Sequence, residues 1–259
     1  MPAVLRKINS PLLKTSRKSV NNDRKSYKIE NKTRIFKMNE NLKIEQDIEK
    51  IKKFEGNAQG REEKITKELA QKLMEIKGEC RGENIKIDWD YVIHNKGKEG
   101  LFLLEEKMAE LGYPLKYKDI KPMDFYPIGL DALSMLSIRD ILKLDEIGMG
   151  EMGASAVKFS LLAKVFFKYF VSLKMIAGEL PRMWPRHYTV GTLELPEYSD
   201  EKKWAIIRLK DFNIHPELCA VFKGYFRKST EMLVNSKVII EETKCVFRGD
   251  GYHEFLLKW

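Results

Sequence analysis

YTVGTLELPEYSDEKKWAIIRLKDF (188–212) and VIIEETKCVFRGDGYHEFLLKW (238–259) decide the fold of this chain. In the first, Thr189, Val190, Thr192 and Leu193 give Tyr188–Leu195 strand composition, and Trp204, Ile206, Ile207 and Leu209 do the same for Lys203–Phe212. Leu195–Lys202, with Pro196 and Asp200, reads as the hairpin connection. In the second stretch, Val238–Phe247 and Tyr252–Trp259 form another hairpin across Arg248-Gly249-Asp250-Gly251, where glycine permits positive φ. Between them His215-Pro216-Glu217 opens a helix through Leu218, Phe222, Tyr225, Phe226 and Met232 to Val234, with proline near the first turn. The chain is therefore expected to be α+β, with N-terminal helices followed by a β-β-α-β-β antiparallel sheet packed against a helical layer.

Upstream, helical periodicity dominates. Leu42, Ile44, Ile48 and Ile51 predict a helix over 39–53, ended by Gly56, Asn57 and Gly60. Ile65, Leu69, Leu73 and Ile76 make one apolar stripe on a helix over Glu62–Lys77. From Gly78 to Gly150 the chain reads as helices punctuated by Gly and Pro: Asp88 caps one through His94, Gly100–Leu111 forms another, and Leu130–Leu144 a third. Ala156–Leu180 reads as a long, largely buried helix carrying Phe159, Phe166, Phe167, Tyr169 and Phe170. Lys158, Lys164, Lys168 and Lys174 interrupt it too often for a membrane span.

Charge is concentrated at one end. The 259 residues carry a formal net charge of +9, but residues 1–37 alone hold 11 Lys or Arg against Asp23 and Glu30, and the remainder is balanced. Residues 1–37 are expected to be a disordered basic tail, 38–77 a helical extension and 78–259 the main folded domain. Met38 is an alternative start. Nucleic acid is not expected as a partner except through the tail, because the basic pI describes the tail and not the folded surface. Three cysteines, Cys80, Cys219 and Cys245, are too few for a secreted disulfide scaffold and fit a cytoplasmic protein.

The last unit concentrates the chemistry. Cys219 lies one turn into the helix, Glu242 and Cys245 are on a strand, and His253 starts the returning strand, so the hairpin brings Cys245 and His253 near each other. Thiolate, imidazole and carboxylate suit a tetrahedral Zn²⁺ site. Glu242 and Cys245 would point to opposite faces of an unbent strand, and a bulge is needed to correct that. The competing reading is two buried apolar cysteines.

Cys219-Ala-Val-Phe-Lys-Gly224-Tyr225, Glu242-Thr-Lys-Cys245-Val-Phe-Arg-Gly249 and His253-Glu-Phe255 resemble the C-terminal half of 4-vinyl-reductase-type domains. That superfamily also includes haem–nitric-oxide-binding-like domains and subunits of the Golgi transport particle. The resemblance covers 186–259, with a thinner likeness over 78–185. In the zinc-bearing sensory members the final position is Cys, and here it is His253, which keeps a donor in place. The resemblance implies a helix-and-sheet body around an apolar pocket, frequent dimers, and a structural zinc at Cys219, Glu242, Cys245 and His253. The pocket is placed against Phe166, Phe167 and Phe170, with Trp184, His187 and Tyr188 supplying its polar groups.

Two functions remain open at this point: a non-enzymatic sensory module that binds an apolar small molecule, and a scaffold or assembly subunit that acts through a homodimer or protein partner. Haem is set aside, because the Tyr-x-Ser-x-Arg signature of the nitric-oxide sensors is absent. No hydrolase triad order, nucleophile elbow or phosphate loop appears in the sequence. Gly148-Met-Gly150-Glu-Met-Gly153 matches a dinucleotide fingerprint but follows a helical segment and no strand.

Overall fold

The computed structural model describes residues 65–159 and 172–259. The tail at 1–37, the helix expected over 39–53 and the proposed pocket residues Phe166, Phe167 and Phe170 lie outside the described residues.

Helix α1 (Lys67–Met74) starts where the Thr66 hydroxyl accepts the Leu69 N–H at 3.2 Å. Strand β1 (Glu79–Arg81) then pairs antiparallel with β2 (Phe125–Pro127), Cys80 lying opposite Tyr126, and an isolated bridge joins Cys80 to Tyr188. This ribbon corrects the purely helical expectation for 78–150. Between its strands runs α2 (Gly82–Glu110), two helical segments that meet at a kink at Gly97, where φ is 61° and ψ −154°, in keeping with the two helices expected here. Asp88 is not a cap, because it sits inside α2 and is only 5% exposed.

Helix α3 (Ile128–Leu142) packs on α1 and α2, and the buried Trp89 indole donates to Ser134 Oγ at 2.6 Å across that contact. Helix α4 (Glu146–Phe159) follows. The single helix expected over Ala156–Leu180 is corrected as well. Ser172 is extended (φ −152°) and accepts the Met175 N–H at 3.3 Å, capping a separate helix α5 (Leu173–Met183).

Strands β3 (Thr192–Ser199), β4 (Trp204–Lys210), β5 (Ile239–Lys244) and β6 (His253–Lys258) form an antiparallel sheet ordered β3-β4-β6-β5. In β3 the register shifts between Glu194 and Glu197, around Pro196, which has no N–H to give the ladder. Ala205, Ile207 and Leu209 alternate inward along β4. On that face lies α6 (Glu217–Val234): Phe226 meets Phe255 edge-on at 5.2 Å, and Phe222 meets Phe212 at 5.2 Å.

The opposite side of α6 lies backbone-to-backbone on α4. A Cβ on Gly153 would strike the Val221 carbonyl, and one on Gly224 would strike the Gly150 carbonyl. Gly150 and Gly153 of the apparent dinucleotide fingerprint therefore serve helix packing, and α4 and α6 approach more closely than side chains at Gly153 and Gly224 would allow. No helix among the described residues is long and apolar enough to cross a membrane.

Candidate metal centre

Three local features bring the four donors together. Cys219 occupies the first turn of α6, its N–H donating to the Pro216 carbonyl at 3.0 Å. In β5 the register against β6 steps from Glu242 opposite Phe255 to Lys244 opposite Glu254, so Thr243 is the extra residue of a bulge. Past the bulge, Cys245 leads into a 3₁₀ turn (Val246–Arg248), which Gly249 closes at φ 94°. The Cys245 N–H donates to Asp250 Oδ2 at 2.8 Å, while the N–H groups of Arg248 and Asp250 donate to its carbonyl at 2.9 and 3.2 Å. His253 opens β6, 3% exposed.

The ligand atoms of Cys219, Glu242, Cys245 and His253 all lie within 4.8 Å of one another. Cys219 Sγ is 3.8 Å from Cys245 Sγ and 3.7 Å from His253 Nδ1, and Glu242 Oε1 is 3.3 Å from the same nitrogen. His253 Nε2 is 3.1 Å from the Phe212 carbonyl, which requires the proton on Nε2 and turns Nδ1 toward the thiols. Arg248 donates to Glu242 Oε2 at 3.1 Å and so orients the carboxylate. Beside Cys219 and His253 is a cavity of about 10 Å³, walled by Phe212, Leu218, Phe222, Phe247 and Phe255. That is room for one water-sized species.

The electrostatics separate the two thiols. The hydrogen bond from Cys219 holds Cys245 down at about 6, against the effect of burial and with help from the Phe247 N–H and His253. The same bond, with burial and the Glu242 charge, pushes Cys219 up. Burial works against ionisation of Glu242, but the His253 hydrogen bond and the Arg248 charge outweigh it and lower its pKa. Burial likewise opposes charge on His253, and the Glu242 and Cys245 contacts outweigh it and raise its pKa. The cluster thus favours a thiolate at Cys245 and a carboxylate at Glu242, and leaves the Cys219 proton to be displaced where a cation would bind.

Of the other residues singled out from sequence, Trp184 is buried and its indole N–H donates to the Val190 carbonyl at 2.8 Å, so its one polar atom is engaged within the fold. Tyr188 stacks on it at 4.5 Å. His187 Nδ1 lies 3.3 Å from Asn84 Oδ1, and burial together with Arg81 and Arg186 lowers its pKa. Sequence reasoning missed the supporting groups, Asp250 and the Phe212 carbonyl. The Arg248-Gly249-Asp250-Gly251 turn was visible, but not that its aspartate reaches back to Cys245.

No family model and no curated protein matches this chain. Solved structures do. An H-NOX protein from S. oneidensis in the Fe(II)NO ligation state is 12% identical, with a TM-score of 0.53 over 69% of this chain and 98% of that one. A triple mutant from the same organism in the Fe(II) ligation state is 12% identical, with a TM-score of 0.53 over 69% and 95%. A doubly substituted H-NOX designated Tt is 11% identical, with a TM-score of 0.50 over 69% and 94%. At these identities the likeness defines the fold, which is H-NOX-like, and this agrees with the haem–nitric-oxide-binding-like part of the resemblance.

The likeness corrects the cofactor expectation. The two S. oneidensis neighbours are described by their Fe(II)NO and Fe(II) ligation states, which conflicts with setting haem aside on the missing signature. The zinc half of that expectation gains nothing from these neighbours. The four imidazoles have individual surroundings: His94 is exposed and edge-on to Phe159 at 5.8 Å, His187 meets Asn84, His215 Nδ1 accepts the Glu217 N–H at 3.3 Å, and His253 faces the thiols. None of these contacts marks an axial ligand.

Proposed function

We propose that this chain is a sensory, small-molecule-binding module in which a divalent transition-metal ion at Cys219, Glu242, Cys245 and His253 clamps the terminal hairpin to α6. The observation that carries the reading is the convergence of four chemically suited donors from three segments, within 4.8 Å. Each segment is held otherwise by hydrogen bonds and apolar packing, so an ion bound by all three would couple them. Four protein donors fill a tetrahedral shell and leave no open position for substrate, which makes the role non-catalytic.

Above the clamp, Phe212 links the site to the junction of the helical layer and the sheet. Its carbonyl meets His253, while its ring meets Trp184 at 5.6 Å and Tyr188 at 5.5 Å. A ligand at Tyr188 would therefore act on the same residue that aims the imidazole. Amide hydrogen exchange before and after treatment with a chelator tests the clamp. Residues 239–258 and the first turn of α6 are expected to exchange faster once the ion is removed, and unchanged exchange would count against it.

A further inference from the structure

The two thiols of the metal centre face each other from different elements. Cys219 Sγ, in the first turn of α6, lies 3.8 Å from Cys245 Sγ, which leads into the turn between β5 and β6. No other atom fits between sulfurs at that separation, and side-chain rotation that shortens it to about 2.0 Å would join them covalently. Glu242 and His253 form no bond to sulfur under oxidation, so the cluster allows a single disulfide. Cys80, the third cysteine of the chain, is fully buried on β1 and lies outside the cluster.

Cys219 is the more reachable sulfur. It is partly exposed, whereas Cys245 is 4% exposed, and it lines the cavity of about 10 Å³ with His253 and Phe247. Phe247 is itself 41% exposed, which places the cavity directly beneath a solvent-facing side chain. The rings of Phe212, Phe222 and Phe255 make the rest of the lining largely apolar, which suits a small uncharged molecule and disfavours an anion. Hydrogen peroxide meets that description, and only its terminal oxygen has to reach the sulfur.

We infer that the Cys219–Cys245 pair is an oxidative modification site for small hydroperoxides, and that the disulfide formed there replaces the metal ion as the clamp between α6 and the terminal hairpin. The inference deepens the metal-clamp reading and rests on it. In metal-free protein the Cys219 sulfur attacks the terminal peroxide oxygen and the O–O bond breaks. Cys219 becomes a sulfenic acid, and its thiol proton leaves with the departing oxygen as water. The Cys245 sulfur then attacks the Cys219 sulfur, the S–O bond breaks, and the hydroxyl leaves with the Cys245 proton as a second water. Two thiols are thereby oxidised to one disulfide while one hydrogen peroxide is reduced to two waters. The bonded sulfurs no longer offer thiolate charge, which leaves Glu242 and His253 as two donors where a tetrahedral ion needs four. Metal and disulfide are therefore alternatives that tie the same two elements together.

The test uses the full chain, reduced, stripped with a chelator and treated with hydrogen peroxide at neutral pH, beside a sample loaded with cadmium(II) as a redox-inert probe ion. Intact mass under non-reducing conditions, mapping of the linkage and amide hydrogen exchange are read on the parent, Cys80→Ser, Cys219→Ser and Cys245→Ser. The parent and Cys80→Ser are expected to lose the mass of two hydrogens as monomers, with the link mapped to Cys219 and Cys245. The other two variants are expected to form no intramolecular link. Residues 239–258 are expected to exchange at least tenfold more slowly in the disulfide form than in the reduced metal-free form, and the cadmium-loaded protein to oxidise at least tenfold more slowly. Should a serine variant fail to fold, the linkage mapped in the parent decides. No loss of mass, a link through Cys80, disulfide dimers in place of monomers, sulfinic acid in place of the disulfide, unslowed exchange in the oxidised form, or equal oxidation with and without cadmium would overturn the proposal. Cadmium uptake separates the two claims: a disulfide in protein that takes up no ion when reduced would sink the metal clamp alone, whereas ion-binding protein that forms no disulfide would sink the modification site alone.

Discussion

His253 holds its Nε2 3.1 Å from the carbonyl oxygen of Phe212, and that single contact aims its Nδ1 at Cys219, 3.7 Å away. The imidazole is thereby oriented before any ion arrives. Fixing a ligand's tautomer from behind is a recurring device in metal sites and strengthens the forward nitrogen as a donor.

The donors differ in what can replace them. With cobalt(II) as a spectroscopic probe, Cys245→Ser is expected to abolish thiolate-to-metal absorption. His253→Cys, which supplies a thiolate at the same position, is expected to retain a tetrahedral spectrum. Asp250→Ala leaves all four donors intact but frees the Cys245 backbone, and roughly 10- to 100-fold weaker binding is expected. An Asp250→Ala affinity equal to the parent's would remove the supporting role assigned to that turn.

Acid should act on the thiol pair in a defined window. Cys245 falls from an ordinary 9.0 to about 6 in the folded chain, first through the Cys219 hydrogen bond. A depressed pKa contributes stability that is fully present above the unfolded value and is lost as pH falls through the folded one. In metal-free protein this contribution is expected to fade between about pH 9 and pH 6 and to vanish in Cys219→Ala. Thiolate ultraviolet absorbance followed against pH checks it, and an apparent pKa near 9 in the parent would contradict it.

Asp131 behaves oppositely. Burial raises it from 3.8 to about 7, with the Cys80 thiol acting weakly in the other direction. The folded chain then binds more protons than the unfolded one between those values, so this group makes stability fall as pH rises from about 4 to about 7 and level off above. Asp131→Asn is expected to flatten that slope and to be more stable than the parent at neutral pH. Urea unfolding across the range measures it. A parallel slope in the variant would show that Asp131 does not titrate in this window.

The close contact between α4 and α6 leaves no room for a methyl group. Gly153→Ala and Gly224→Ala each force a Cβ into a carbonyl of the facing helix. A loss of about 1–3 kcal/mol is expected for each. Gly178→Ala, in α5 with nothing within 4 Å of the added carbon, is the control and should be neutral or slightly stabilising. Equal effects at all three would refute the packing role.

What was legible in the sequence depended on local signals. The α+β character followed from alternation in residues 188–212 and 238–259, and the four donors followed from their spacing around a turn that two glycines mark. Strands β1 and β2 were not legible, because three residues such as Glu79-Cys80-Arg81 carry no periodicity and pair only through tertiary context. The break at Ser172 was hidden inside apolar composition, although a serine ahead of a helical run is a capping signal. Asp88 read as a cap because local sequence cannot distinguish an aspartate that opens a helix from one buried within it. The glycines at 148–153 matched a dinucleotide fingerprint, and the packing role of Gly150 and Gly153 became clear only with α6 in place.

The measurement that tests the central claim most directly is native mass spectrometry of the protein purified without a His tag, with alkylation of native thiols on the same sample. One divalent ion per chain is predicted, with Cys219 and Cys245 protected from alkylation until a chelator removes the ion. Protein that is stoichiometrically metal-free, with both thiols freely alkylated in the native state, would contradict the metal clamp and leave Cys219 and Cys245 as two packed thiols.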